Sequence, residues 1–428
     1  MGEHTGVTDS ELIEVTVSKL VNGGQALGEL PDGRKVFVWN ALPGERVRVR
    51  VIKSKRSYSE AIAEEIIEPS AERISALETN YLATSPWQIM TYAAENKSKK
   101  SIVEELFAHE KVALPAVGEV VHAADEWHYR NKMEYSFWGD DDGLHLALHQ
   151  RGSHGKQIVK GSALALPALD VAANALCAQL SKLNTRAGDL KTIIVRCNQN
   201  GDVVAALYTK LTKFTKLELP AELQGLRVYH SNPKSPASVP TELLDELGSV
   251  GLYDELLEKS FSYDVDSFFQ VNVPIFERAL SRIKEHCTEP AIIDMYAGVG
   301  TIGLSIASQS VDLIELDPLT AKMAEVNAAA SGLTVRVLCA PTEKALDYIS
   351  ANKPVIFDPP RAGLHDRVVA RVLEALPPKV IYLSCNPATQ VRDIAKLQAK
   401  YTVDFFEIYN FFPRTPHIET LAILNIKK

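Results

Sequence analysis

The sequence predicts an α/β protein with three parts: a small all-β barrel first, a mixed α+β region next, and a mainly parallel sheet covered by helices on both faces last. Three observations carry that expectation. Residues 11–68 hold short runs of strand character separated by turn signals. From residue 264 apolar runs alternate with helical segments, the pattern of a buried parallel sheet. The stretch between them mixes both patterns. The expected boundaries are a flexible tail over 1–10, the barrel over 11–68, a central domain over 69–260 and a third domain over 261–428.

In the barrel, ELIEVTVSKL, KVFVWN, ERVRVRVIKS and SEAIAEEIIE read as strands, with NGG, PDG and LPGE as turns, and a Greek-key closure is the natural one. Arg46, Arg48 and Arg50 alternate with Val47, Val49 and Val51, so the cations share one face and the valines the other. With Lys53, Lys55 and Arg56 they form a basic stripe suited to an RNA backbone, unless it is only a solvated face. In the central region TYAAENKSKKSIVEELFAH has helical periodicity, and a helix over 92–110 is expected to pack on the third domain. WHYRNKMEYSFW and LHLALHQ read as strands, with Arg130 and Lys132 interleaved among aromatic residues. SNPKSPASVP, residues 231–240, is a connection. In the third domain the apolar runs AIIDMYA, VDLIELD, VRVLCA, VIFDPP and VIYLSC alternate with helices expected over 301–309, 318–331, 342–350, 366–376 and 388–400. YTVDFFEIYNFF and ETLAILNIK have no helix between them, which predicts a terminal antiparallel hairpin.

With 428 residues, 46% of them hydrophobic, the chain can hold two to four cores. No run approaches the ~18 apolar residues of a membrane span, and MGEHTGVTDS has neither a positive start nor an apolar signal segment. A cytoplasmic protein without membrane attachment is therefore expected. The five cysteines stand singly with no C-x-x-C pair, so neither a disulfide framework nor a metal site is expected. A net charge of −8 does not announce a nucleic-acid partner, although a net value can conceal a local basic surface.

Chemistry enters at the strand ends of the third domain. Gly298-Val299-Gly300-Thr301-Ile302-Gly303 spells G-x-G-x-x-G, a turn whose backbone can approach a ligand in a Rossmann-like fold. Glu315, at the next strand end, is placed to accept hydrogen bonds from a ribose diol. NAD and S-adenosylmethionine both need that carboxylate, so the glycines alone do not choose between them. Ligands of such sheets sit at the carboxyl ends of the strands. There Asp358-Pro359-Pro360 makes a stiff turn, and SCNP brings Cys385 beside it. A free cysteine most often packs as a small hydrophobe. This one ends a strand next to a carboxylate, where a nicotinamide dehydrogenase has no use for it and a pyrimidine methyltransferase does. Cys197 and Cys339 keep the buried reading, and Asp317 reads as a surface or helix-capping residue.

SFFQVN, DMYAGVGTIGL, DPPRAGL, SCNPATQVRDI and FFPRTPHIE, in this order, resemble the signatures of the RNA uracil-5 methyltransferase family. The barrel with its ALPGE turn resembles a TRAM domain, an OB-type RNA-binding module. The resemblance covers nearly the whole chain, though the central region matches mainly at YRNK. It implies a class I methyltransferase domain, with S-adenosylmethionine surrounded by Gln270, Tyr296, Glu315 and Asp358 beside the Gly298 turn. It further implies Cys385 as nucleophile and Glu419 as base. Carbon 5 of uracil is a poor nucleophile until a thiolate adds to carbon 6, and the proton left on carbon 5 must then be removed. A free cysteine of pKa ~8.5 is mostly thiol at neutral pH, so the site is expected to stabilise the thiolate, with the helix opening at Pro387 well placed to help.

The chain departs from the family pattern twice. Many members hold an iron-sulfur cluster through a C-x-x-C-G-G-C set after the barrel; here the corresponding stretch, SALETNYLATSPWQIMTY, has no cysteine, and no cluster is expected. Tyr81, Trp87 and Met90 are the candidates to fill that volume. Asn410 stands where the family usually has aspartate. The expectation is a monomeric enzyme that makes 5-methyluridine in structured RNA, with ribosomal RNA favoured over transfer RNA and the sequence alone not separating the two. The alternatives are a 5-methylcytidine enzyme, which typically needs a second cysteine, and an RNA-binding ribosome-assembly factor with an inactive domain.

Overall fold

The computed structural model describes residues 12–152, 155–235 and 237–427; the expected tail over 1–10 lies outside them. Five strands close a barrel: β1 (Ile13–Leu20), β2 (Ala26–Glu29), β3 (Lys35–Trp39), β4 (Arg46–Ser54) and β5 (Tyr58–Glu68), in the order β1-β2-β3-β5-β4. Val15, Val17, Val47 and Val49 fill it, as the alternation requires. β2 has no sequence expectation behind it. Its four residues, ALGE, are too short to show a period, and pairing with β1 and β3 makes them a strand.

After a single turn, α1 (Tyr81–Thr84), comes α2 (Tyr92–His109). The central region is built on a seven-stranded sheet of β6 (Lys132–Asp140), β7 (Gly143–His149), β8 (Lys156–Ile158), β9 (Leu190–Cys197), β10 (Val203–Thr209), β11 (Gly225–His230) and β12 (Glu242–Gly248), in the order β12-β11-β10-β9-β6-β7-β8. Helix α3 (Pro167–Lys182) buries Leu169, Ala173, Leu176 and Leu180, one helical face. A hairpin, β13 (Gly251–Leu256) and β14 (Lys259–Asp264), precedes α4 (Val273–His286).

The last domain is a second seven-stranded sheet of β15 (Ala291–Met295), β16 (Ser310–Glu315), β17 (Thr334–Cys339), β18 (Val355–Phe357), β19 (Lys379–Ser384), β20 (Tyr401–Tyr409) and β21 (Glu419–Ile426). Its order is β17-β16-β15-β18-β19-β21-β20, parallel up to β19 and antiparallel through the terminal hairpin. The connecting helices are α5 (Thr301–Ile306), α6 (Pro318–Ala330), α7 (Asp366–Ala375) and α8 (Pro387–Leu397). Asp317 caps α6 by accepting the Thr320 N–H at 2.8 Å, and Asn386 caps α8.

The helix expected over 342–350 is instead two 3₁₀ turns, Thr342–Lys344 and Leu346–Tyr348. Ala345 and Ile349 are buried there, and so short a segment anchors both without the cost of nucleating an α-helix. Cys339 is exposed, against expectation, because β17 is an edge strand and its last residue faces outward.

The chain forms two compact units. One holds the barrel and the following chain to Ile102, with His149–Gly155 and Phe412–His417. The other holds Val103–Leu148, Lys156–Phe411 and the chain from Ile418 on, so both seven-stranded sheets belong to it apart from the last residue of β7. No helix among the described residues is long and apolar enough to cross a membrane.

Candidate active site

Sheet order alone aligns most of the singled-out residues. Along the carboxyl edge, Glu315 ends β16, Tyr296 follows β15, Asp358 follows β18 and Cys385 follows β19. Strand β21 runs antiparallel to β19, with Ser384 opposite Thr420, so the next position of the register brings Glu419 to Cys385. Glu419 is the first residue of β21 rather than a loop residue, and it is 2% exposed.

Burial and neighbouring charge dominate the electrostatics. Burial, together with Asp358, pushes the Glu419 carboxyl well above the usual carboxylate range, while Arg361 opposes the shift. Burial brings Asp358 up to about 7, opposed by a hydrogen bond with the Gln270 side chain. The Cys385 thiol is pushed up to about 12, first by burial and then by Glu419 and Asp358, with Arg361 acting against them. The expected stabilisation of the thiolate is not what the surroundings supply: burial first, and the two carboxyls after it, favour the thiol.

At the glycine turn, Glu315 accepts the N–H of Gly298 through Oε2 and that of Asp317 through Oε1, both at 2.8 Å. Gly298 has φ +58° and a Cβ there would meet nothing within 4 Å, so this backbone borders open space. Tyr296 is left-handed at φ +66°, a conformation that a non-glycine residue holds only where its surroundings impose it. Buried Asp294 accepts the Gly303 N–H at 2.7 Å through Oδ2, whereas its Oδ1 has no partner. Burial, with Asp358 and Glu315, lifts this carboxyl to about 8 against the Gly303 hydrogen bond. A glycine backbone beside open space, a carboxylate at the neighbouring strand end and an orphaned buried oxygen suit a polar nucleoside cofactor such as S-adenosylmethionine.

Several residues that shape the site stood in quoted motifs, or as a departure from the family pattern, with no role assigned to them. Asp393, fully buried, accepts the Leu364 N–H at 2.8 Å and the Tyr382 hydroxyl at 2.9 Å, and so holds the DPPRAGL turn against β19. Gly363 sits in that turn at φ +77°, where a Cβ would come within 2.7 Å of Asp393. Asn386 donates to the Arg361 carbonyl at 2.9 Å and ties the cysteine strand to the same turn. Asn410 is fully buried, and its backbone N–H donates to the Val121 carbonyl at 2.8 Å.

In the other unit, Trp87 and Met90 of the cysteine-free stretch are buried, and half-buried Tyr81 donates to Asn40 at 2.8 Å. On the barrel the strand part of the basic stripe, from Arg46 to Lys53, is matched by acids. Arg46 pairs with Glu14 and Glu68, Arg48 with Glu65, Arg50 with Glu64 and Lys53 with Glu60, all at 2.5–3.3 Å. The row is neutralised because β5, antiparallel to β4, presents its glutamates on the same face, a signal that SEAIAEEIIE carries in plain view.

The family model described as tRNA (Uracil-5-)-methyltransferase matches residues 343–427, and that of the TRAM domain matches residues 8–63. An uncharacterized RNA methyltransferase of Enterococcus faecalis is 28% identical over 454 residues, covering 98% of each chain. One from Lactococcus lactis subsp. lactis is also 28% identical, over 99% of this chain and 98% of its own. Among solved structures, the Pyrococcus abyssi tRNA (uracil-54, C5)-methyltransferase in complex with S-adenosyl-L-homocysteine shares the fold. Its TM-score is 0.75 at 21% identity, over 96% of this chain and 100% of that one.

Proposed function

We propose that the chain is an S-adenosylmethionine-dependent RNA uracil-5 methyltransferase, as its matches to that family model over residues 343–427 and to RNA methyltransferases along nearly its whole length support, and that it methylates carbon 5 of a uridine in structured RNA with Cys385 as nucleophile and Glu419 as base. The observation that carries the assignment is the β19–β21 register, which brings a buried carboxyl toward Cys385, the only cysteine among the described residues at the carboxyl edge of β18 and β19.

S-adenosylmethionine, when bound, supplies a methyl group on a sulfonium centre. Gln270, Tyr296, Gly298, Glu315 and Asp358 are the residues proposed to hold it. Cys385 first gives up its proton to solvent, and its thiolate adds to carbon 6 of the extruded uracil, which turns the ring into an enolate with a nucleophilic carbon 5. After carbon 5 is methylated, Glu419 removes its proton, and elimination breaks the carbon–sulfur bond. A carboxyl with a raised pKa is the stronger base for that step, and Arg361 helps to hold it ionised. A two-cysteine 5-methylcytidine chemistry finds no support, since Cys339 on β17 is separated from Cys385 by three strands, β16, β15 and β18. The sequence resemblance favours ribosomal RNA as substrate, and transfer RNA is the second reading.

Two substitutions and a map test this. Cys385→Ala is expected to abolish turnover and covalent attachment to RNA. Glu419→Gln is expected to accumulate a denaturation-resistant protein–RNA adduct that carries the methyl group. Release of methylated RNA by the glutamine variant at the wild-type rate would assign the base elsewhere. Mapping 5-methyluridine in ribosomal and transfer RNA of a deletion strain decides the substrate.

A further inference from the structure

The start of the central sheet carries a charge arrangement that methyl transfer does not use. Lys132 of β6 lies directly opposite Arg196 of β9 in the antiparallel register, so the two side chains share a face. Arg130, two residues earlier at an isolated bridge to Ala165, lies near enough for its charge to act on Lys132. Like charges placed opposite one another destabilise a sheet, and burial makes this worse. Arg196 is fully buried, and Arg130 and Lys132 are half-buried.

No carboxylate closes the cluster. Among the described residues none of the three cations forms an ion pair. The neighbouring acids are engaged elsewhere: Asp264 and Asp266 bind Arg227 at 3.0 and 2.6 Å, and Asp254 accepts the Tyr263 hydroxyl at 2.6 Å. Glu134, further along the same face, is exposed. Nε of Arg130, and Nε and Nη1 of Arg196, are buried without a hydrogen-bond partner. Buried donors of this kind are costly unless something accepts from them.

The cluster also borders the proposed catalytic pocket. Arg196 donates to the Ser267 carbonyl at 2.8 Å and lies 5.4 Å from the Tyr263 ring, which stacks on Phe269 with centroids 4.1 Å apart. Asn131, on the opposite face, donates to the Gln270 carbonyl at 3.0 Å, and the Gln270 side chain bonds Asp358.

We propose that Arg130 and Lys132 bind a phosphodiester of the RNA substrate beside the extruded nucleotide, with Arg196 behind them as a fixed buried charge. A phosphate offers acceptors to both side chains and neutralises a cluster that the protein leaves open. The barrel cations Arg46, Arg48, Arg50 and Lys53, each already held by a glutamate, must exchange partners to do the same. This proposal rests on the reading of the chain as an RNA methyltransferase.

The test is equilibrium binding of a stem-loop RNA that contains the methylated uridine to the full chain, without cofactor, across a salt series. Arg130→Gln and Lys132→Gln are each expected to weaken binding and to reduce the slope of log affinity against log salt by about 0.7–0.9, one contact's worth. Lys132→Arg is expected to restore the slope. Wild-type slopes in both glutamine variants, or weaker binding with an unchanged slope, would overturn the proposal. If Lys132→Gln does not fold, as judged by its melting transition, Arg130→Gln carries the same measurement. Methyl transfer by the wild-type chain is followed in parallel. A chain that methylates no RNA counts against the functional reading, whereas an unchanged slope in a methylating chain counts against the phosphate site.

Discussion

The backbone N–H of Arg414 donates to both carboxylate oxygens of Glu95, at 3.1 and 3.0 Å. Lys99, one helical turn on from Glu95, pairs with it at 3.0 Å and donates to the Phe412 carbonyl at 3.1 Å. Glu95 and Lys99 are fully buried, so helix α2 holds the segment 412–417, which leads directly into Glu419, through a water-excluded ion pair. Removing one partner of such a pair strands the other charge. Lys99→Met alone is expected to cost about 3–5 kcal/mol in chemical denaturation. The double variant Glu95→Gln/Lys99→Met is expected to cost less than the two single changes added together. Strict additivity would show that the two charges are not coupled.

Gln390 braces the pair of strands β19 and β21. Its amide donates to the carbonyls of Tyr382 at 2.9 Å and Thr420 at 3.3 Å, and the Thr420 hydroxyl donates back to it at 2.9 Å. Gln390→Leu leaves these buried groups without partners at about 1–3 kcal/mol each. Because the register sets Cys385 against Glu419, kcat is expected to fall roughly tenfold or more, following the sensitivity of reacting groups to misplacement. A variant that loses stability but keeps wild-type kcat would confine Gln390 to a structural role.

Stability should decline from acid to neutral pH. Asp294, lifted to about 8, and Asp358, lifted to about 7, stay protonated in the folded chain where their ordinary value near 3.8 would have them ionised. The folded state thus holds more protons than the unfolded chain across pH 4 to 8. The stability linked to these groups is fully present below about pH 4 and is lost as pH rises through 7 and 8. Asp294→Asn cannot ionise, so its unfolding free energy should change less between pH 5 and pH 8 than that of the wild type. An identical change in both proteins would mean that Asp294 is ionised in the folded state.

On the barrel, the glutamates hold the arginines back from solution anions. Exposed pairs of this kind contribute only about 0–1 kcal/mol each, so Glu64→Gln and Glu65→Gln should leave the melting temperature nearly unchanged. If Arg50 and Arg48, once released, reach RNA phosphates, affinity for the stem-loop should rise and its salt dependence steepen by about 0.7–0.9 per released cation. Unchanged binding would take this face out of the RNA interface.

The local patterns of this chain were sufficient for the alternation of strands and helices in the last domain, the glycine turn, and the placing of Asp358 and Cys385 at strand ends. Each of these rests on a short-range requirement: a period of 2 or 3.6 residues, a positive φ, or the stiffness of consecutive prolines. Only the tertiary structure decided what those residues meet. It set Glu419 against Cys385 through a cross-strand register, drove the thiol up instead of down by burying it between carboxyls, and left Cys339 exposed on an edge strand. It matched the barrel arginines with glutamates from a neighbouring strand, and left Arg130 and Lys132 with none. Charge, burial and hydrogen-bond supply depend on distances between residues remote in the chain, and no local period encodes those distances.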